Sequence, residues 1–167
     1  MEIVERTIKC VDQVKFQIAV PFRHINPNMP DNFVQAESCL FRQRRNLSKN
    51  SDARQTCMEK IKRLRDEGYI EKVHPDNHKM PGPVWFFPHF AMQQEKFRVV
   101  YDGSAEFEQH YINAKIFAGP DLLVPLFDVI TRFRMGKYAI IADLKECFFQ
   151  IGIPPEQHDF FHILWYA

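Results

Sequence analysis

Tyr138-Ala139-Ile140-Ile141-Ala142-Asp143-Leu144-Lys145-Glu146-Cys147-Phe148-Phe149-Gln150-Ile151 decides how this chain is read. The apolar, β-rich run 138–142 predicts a strand that delivers a single carboxylate, Asp143, at its end. A strand end holds a carboxylate rigidly, as an oxygen ligand for a hard cation must be held. An aromatic ring five residues further on, Phe148, can floor a pocket beside it. Alternation along a strand sends Phe148 and Phe149 to opposite faces, so the two cannot share one role. The same pattern also suits an Asp that only caps a turn after a buried strand, and the flanking sequence has to choose.

Length and composition allow one domain with a real core, since 167 residues at 46% hydrophobic and 26% charged are ordinary for a globular chain. Sixteen Phe is unusual and predicts a Phe-rich core. The net charge of +1 is unevenly spread, with 14 Lys/Arg against 10 Asp/Glu in residues 1–72 and 8 against 11 in the remainder. Within 42–65, nine basic residues face only Asp52 and Glu59. Such a stripe, here Arg42, Arg44, Arg45 and Lys49 at its start, either tracks phosphates or forms a solvated helix face.

Cys10, Cys39, Cys57 and Cys147 have no metal-type spacing and read as free thiols of a reducing compartment. His74/His78 and His158/His162 lack a third ligand of obvious type, so zinc is not expected. Without a targeting signal or an apolar run of membrane length, the expected location is intracellular, cytoplasmic or nuclear, with no membrane partner.

Residues 14–20 alternate as a short strand. After Pro21, Pro27 and Pro30, Asp31 caps a helix over about 32–47, with Phe33, Ala36, Leu40 and Leu47 on one face. A second helix starts at Ser51 or Asp52, buries Ala53, Cys57, Ile61 and Leu64, and stops at Gly68. Val84–Met92 and Phe97–Tyr101 predict a hairpin, its first strand edged or bulged by Pro88. A helix over about 124–135, with Pro125 in its first turn, turns Leu126, Val129, Ile130 and Phe133 inward. Strands are predicted over 138–143, 148–153 and 160–165.

Three stretches in order then resemble the reverse transcriptase of BEL/Pao-type LTR retrotransposons. They are Lys96-Phe97-Arg98-Val99-Val100-Tyr101-Asp102-Gly103-Ser104-Ala105; Gly119-Pro120-Asp121-Leu122-Leu123 leading to Arg132-Phe133-Arg134; and Ala142 through Ile151. Met29-Pro30-Asp31-Asn32 and Glu67-Gly68-Tyr69-Ile70-Glu71-Lys72-Val73 match upstream, so the similarity runs from about residue 8 onward. The family has a right-hand fold of fingers, palm and thumb. The resemblance therefore implies an α+β fingers/palm fragment whose palm sheet is incomplete. Its expected parts are an N-terminal strand and loop approach at 1–30, a fingers-like region at 31–120 and a partial palm at 121–167.

By resemblance Asp143 is catalytic and a Mg²⁺ ligand, joined by the carbonyl of Leu144. Arg98, and less directly Lys96, would grip the triphosphate of an incoming nucleotide, a task suited to a guanidinium fork. An exposed hairpin arginine is the alternative for Arg98. Phe148 would lie beneath the sugar and exclude a 2′-hydroxyl by steric clash; core packing, or Phe149 in its place, is the alternative. The implied partners are template–primer and deoxynucleoside triphosphates in the complete enzyme, with the remainder of a retroelement polyprotein. The family's Tyr-x-Asp-Asp hairpin has no counterpart here, and Asp102-Gly103-Ser104 stands where the family has Asp-Ala-Ser. The expectation is that these residues alone do not polymerise. A binding module using the basic stripe is the competing expectation.

Overall fold

The computed structural model describes residues 2–11, 15–73, 83–93 and 97–166. They form a mixed α+β fold. A short helix α1 (Glu2–Thr7) leads through β1 (Lys9–Cys10) and β2 (Phe16–Gln17) to two long helices, α2 (Phe33–Leu47) and α3 (Ser51–Asp66). A hairpin of β3 (His89–Gln93) and β4 (Phe97–Tyr101) follows, then α4 (Ile112–Lys115), α5 (Leu126–Met135), a 3-10 turn at Cys147–Gln150, β5 (Ile151–Gly152) and a 3-10 helix at Pro155–Phe160. None of the described helices is long and apolar enough to cross a membrane.

The two long helices form where their apolar period places them, but on other N-caps than the sequence suggests. Asn32, not Asp31, is the N-cap of α2 and makes no side-chain capping bond, while Asp31 Oδ1 accepts from the backbone N–H of Phe33 at 2.9 Å in the turn before the helix. Asn50, rather than Ser51 or Asp52, caps α3, its Oδ1 accepting from Ala53 N–H at 3.0 Å. Cys57, Ile61 and Leu64 are buried on the inner face of α3, and Ala36 and Leu47 on that of α2. Gly68 stops α3 in the left-handed region (φ +72°). There Gly68 N–H donates to Arg65 O at 3.0 Å and Tyr69 N–H to Leu64 O at 2.8 Å, the paired bonds of a Schellman turn.

The hairpin forms antiparallel, with His89 opposite Tyr101 and Gln93 opposite Phe97. Its first strand begins at His89, because Pro88 has no N–H to lend a ladder. Residues 84–88 instead run beside 159–162. Trp85 N–H donates to Asp159 O at 2.9 Å, and Phe87 N–H to His162 O at 2.8 Å. Two amide side chains hold these loops. Fully buried Asn32 accepts from Phe86 N–H and donates to Phe86 O, both at 2.7 Å. Gln157 does the same for Val20, at 2.7 and 3.1 Å.

The core gathers Phe22, Met29, Trp85, Ile112 and Phe160. Phe22 and Phe160 rings lie 5.0 Å apart, a spacing at which tilted rings attract beyond their area.

Five expectations need correction. The strand over 14–20 shortens to Phe16–Gln17 within the described residues, residue 14 lying outside them. Residues 138–143 have no ladder partner among the described residues, and Ile140 and Ile141 are 87% and 88% exposed. The strand over 148–153 is a 3-10 turn followed by two strand residues, because Glu146 takes a left-handed conformation (φ 53°). The strand over 160–165 reduces to one bridge, Phe86 with His162, since Pro154-Pro155 starts a 3-10 helix that ends at Phe160. Finally α5 forms with Pro125 as its N-cap, yet Leu126, Val129, Ile130 and Phe133 are all exposed. A Phe-rich core also holds only in part. Phe22, Phe86 and Phe160 are buried, whereas Phe41, Phe90, Phe127, Phe133 and Phe148 are exposed.

Candidate functional site

Arg98 is the second residue of β4, where alternation turns it to solvent between the half-buried Phe97 and Val99. It lies opposite Met92 in the hairpin. Lys96 lies outside the described residues. The Asp102-Gly103-Ser104 turn that follows β4 is firmly closed. Asp102 Oδ1 accepts from Ser104 N–H at 3.0 Å and from Ser104 Oγ at 2.7 Å. A Cβ on Gly103 would stand 2.8 Å from Asn113 Oδ1, so the missing methyl makes room for the Asn113 side chain.

Asp143 sits in the extended run before the 3-10 turn and is exposed, as is Leu144. Among the described residues the side chains of Arg98, Asp143 and Phe148 make no hydrogen bond, ion pair or ring contact with one another, and no group of three His, Cys, Asp or Glu could hold a metal ion. Asp143 with the Leu144 carbonyl is a small donor set. Two Mg²⁺ ions ask for more oxygen ligands than these supply, so the residues present do not complete a two-metal site.

Phe148 and Phe149 differ sharply. Phe148 is 89% exposed and Phe149 36%, because Phe149 stacks on Tyr69 with ring centroids 5.2 Å apart. Gln150 Nε2 donates to the Tyr69 hydroxyl at 3.1 Å, and Arg63 pairs with Glu146. Sequence reading missed this contact set. A Tyr just past a helix-stopping Gly is its one sequence trace.

Arg42, Arg44, Arg45 and Lys49 are all exposed on α2 and the turn after it. The Arg44 guanidinium lies 5.5 Å from the Tyr166 ring centroid. On α3 the charges are partly internally paired, Lys62 with Asp66 at 2.5 Å and Arg63 with Glu67 at 3.7 Å. The hydrogen bond from Lys62 holds the Asp66 carboxyl below its usual range. Arg54 on α3 is exposed as well, so the cationic surface spans both helices.

Behind the hairpin lies a buried polar group of side chains. Burial pushes the Tyr101 phenol up to about 12, with the nearby Cys57 adding to it, and raises the Cys57 thiol itself. Burial also lowers His89, against a smaller opposing hydrogen bond with the Phe87 backbone. His89 lies 5.7 Å from the Trp165 ring, and Gln43 Nε2 reaches Cys57 Sγ at 3.8 Å. These groups pack α2 and α3 against the hairpin, in keeping with a structural role. No protein family matches the chain, and neither a curated protein nor a solved structure matches it.

Proposed function

We propose that the chain is part of an RNA-directed DNA polymerase of a BEL/Pao-type retrotransposon, its fingers and the start of its palm. The ordered set of three stretches ending at Asp143 and Phe148 carries this reading. The outward-facing Arg98 on a regular hairpin supports it, as do an unencumbered Asp143 and a Phe148 ring open to a ligand. In that polymerase Arg98 would bind the triphosphate, Phe148 would reject the 2′-hydroxyl, and Asp143 with the Leu144 carbonyl would supply part of the Mg²⁺ ligation. The other carboxylates have to come from residues this sequence lacks.

The deciding experiment joins these residues to the Tyr-x-Asp-Asp-bearing palm and thumb of a BEL/Pao-type polymerase. The joined protein should extend a primer on an RNA template, and Asp143→Ala should abolish extension; these 167 residues alone should extend nothing. Extension that survives Asp143→Ala, or a folded chimera that never incorporates nucleotides, overturns the reading.

A nucleic-acid-binding role for the α2 surface is favoured by one observation, the exposure of Arg42, Arg44, Arg45 and Lys49 together. Its signature is binding to single-stranded RNA or DNA that weakens linearly on a log–log salt scale, with a slope that flattens when Arg44 and Arg45 become Ala. Binding insensitive to salt sinks it.

A further inference from the structure

The turn that ends α3 reaches across the molecule. Its left-handed Gly68 and paired backbone bonds fix where Tyr69 leaves the helix. The Tyr69 ring then stacks on Phe149 at 29° between planes, and its hydroxyl accepts from Gln150. Lys15 Nζ lies 5.3 Å from the same ring centroid. Earlier on α3, Arg63 pairs with Glu146, the left-handed residue that opens the 147–150 turn. Just beyond, Ile151 and Gly152 pair in parallel with Phe16 and Gln17 of β2. Residues 146–152 are thus gripped from α3 and from β2, while residues 121–145 lie exposed.

Phe148 sits inside this gripped segment and has no ring partner among the described residues. Its neighbour occupies the place against Tyr69, so Phe148 is left pointing at solvent or a ligand. We infer that Tyr69, acting through Phe149, and Arg63, acting through Glu146, are positioning residues that decide which ring of the Phe148-Phe149 pair faces outward. The inference deepens the polymerase reading and rests on it for the ligand, a nucleotide sugar. The grip itself stands on geometry alone.

Amide hydrogen exchange of the chain in dilute solution tests the grip. Tyr69→Ala and Arg63→Glu should each speed exchange across 146–152 by roughly tenfold, leaving α2 unchanged. Tyr69→Phe keeps the stack and should keep most of the protection. The charge-swapped pair Arg63→Glu/Glu146→Arg should restore what Arg63→Glu loses. Unchanged exchange at 146–152, or acceleration shared equally with α2, overturns the inference.

The active chimera tests the consequence. There Tyr69→Ala should erode preference for deoxy- over ribonucleotides by roughly tenfold, with primer–template affinity unmoved and Tyr69→Phe near the parent. If Phe148→Ala relaxes discrimination while Tyr69→Ala does not, the positioning role is wrong. If the chimera never uses nucleotides, the polymerase reading fails by itself and the exchange result decides the grip.

Discussion

A single guanidinium on β4 gives the sharpest test at the residue scale. Arg98 faces water from a regular hairpin, so its removal leaves no hole in the core. In the active chimera its partner would be a triphosphate met only with the nucleotide bound, and a charge-assisted contact of that kind contributes about 1.5–3 kcal/mol. Arg98→Ala should therefore cost roughly ten- to a hundredfold in nucleotide efficiency. Arg98→Lys should recover part of it, because a point charge cannot reproduce the fork. Nucleotide efficiency left intact while template affinity falls would assign Arg98 to template instead. Phe148→Ala should admit ribonucleotides, since removing a clash needs no new contact; relaxation by Phe149→Ala alone would reverse the assignment of the two rings.

Asn32 is a residue of the opposite kind, fully buried and bonded at both amide atoms to the Phe86 backbone. Truncation removes two hydrogen bonds to the Phe86 backbone, so Asn32→Ala should destabilise by about 1–3 kcal/mol in denaturant titration. Asn32→Asp should not rescue it at neutral pH, because a carboxylate has no proton for Phe86 O. A loss below about 0.5 kcal/mol would remove Asn32 from this role. The motif Met29-Pro30-Asp31-Asn32 announced the Asp31 turn at the helix start. Nothing in it announced a partner 54 positions away.

Elements whose signal is local were legible. The helical period of 33–64, the Gly68 stop and the hairpin around Gln93 each follow from neighbouring residues. Strands at 138–165 were not, because a strand needs a partner and β-branched residues do not name one. Ile140-Ile141 has the composition of a buried strand and lies exposed, while left-handed Glu146 and Pro154-Pro155 break the runs that follow. The site divides in the same way. Asp143, Arg98 and Phe148 stand out by ordered motif, whereas the Tyr69–Phe149 contact, made between distant segments, leaves no periodic trace.

The hairpin also carries a pH response. Burial lowers the folded-state pKa of His89, so the folded chain prefers the neutral imidazole and the unfolded chain binds the proton more readily. That contribution is present above the ordinary histidine value of about 6.5 and is lost as pH falls through it toward the lowered folded value. The midpoint of thermal unfolding should drop on acidification from about pH 7 to pH 5, and His89→Gln should flatten that slope. Tyr101 works from the alkaline side, its contribution present below about 10 and lost as pH rises toward about 12. An acid slope identical in His89→Gln would show that other groups set it.

At the scale of the whole molecule, one region departs from the rest. From Leu122 to Phe148 the chain exposes Leu126, Phe127, Met135, Tyr138, Ile140 and Ile141, each more than 70% open to solvent. Soluble monomers rarely leave so many large apolar side chains of one segment uncovered, and an extended run without a ladder partner among the described residues adds backbone groups open to pairing. The cationic surface on α2 and α3 is too distant in sequence and too modest in charge to offset it, the chain being only +1 overall. The isolated chain should therefore self-associate at micromolar concentration, with scattering that grows with concentration. Because the attraction is apolar, added salt should not disperse it, whereas association through Arg42, Arg44 and Arg45 would weaken with salt. Leu126→Glu with Ile141→Lys should restore a monomer without changing helical content, since neither side chain is packed against the core. A wild-type chain that stays monomeric and melts in one sharp, reversible transition would mean that this apolar surface is covered within the molecule itself.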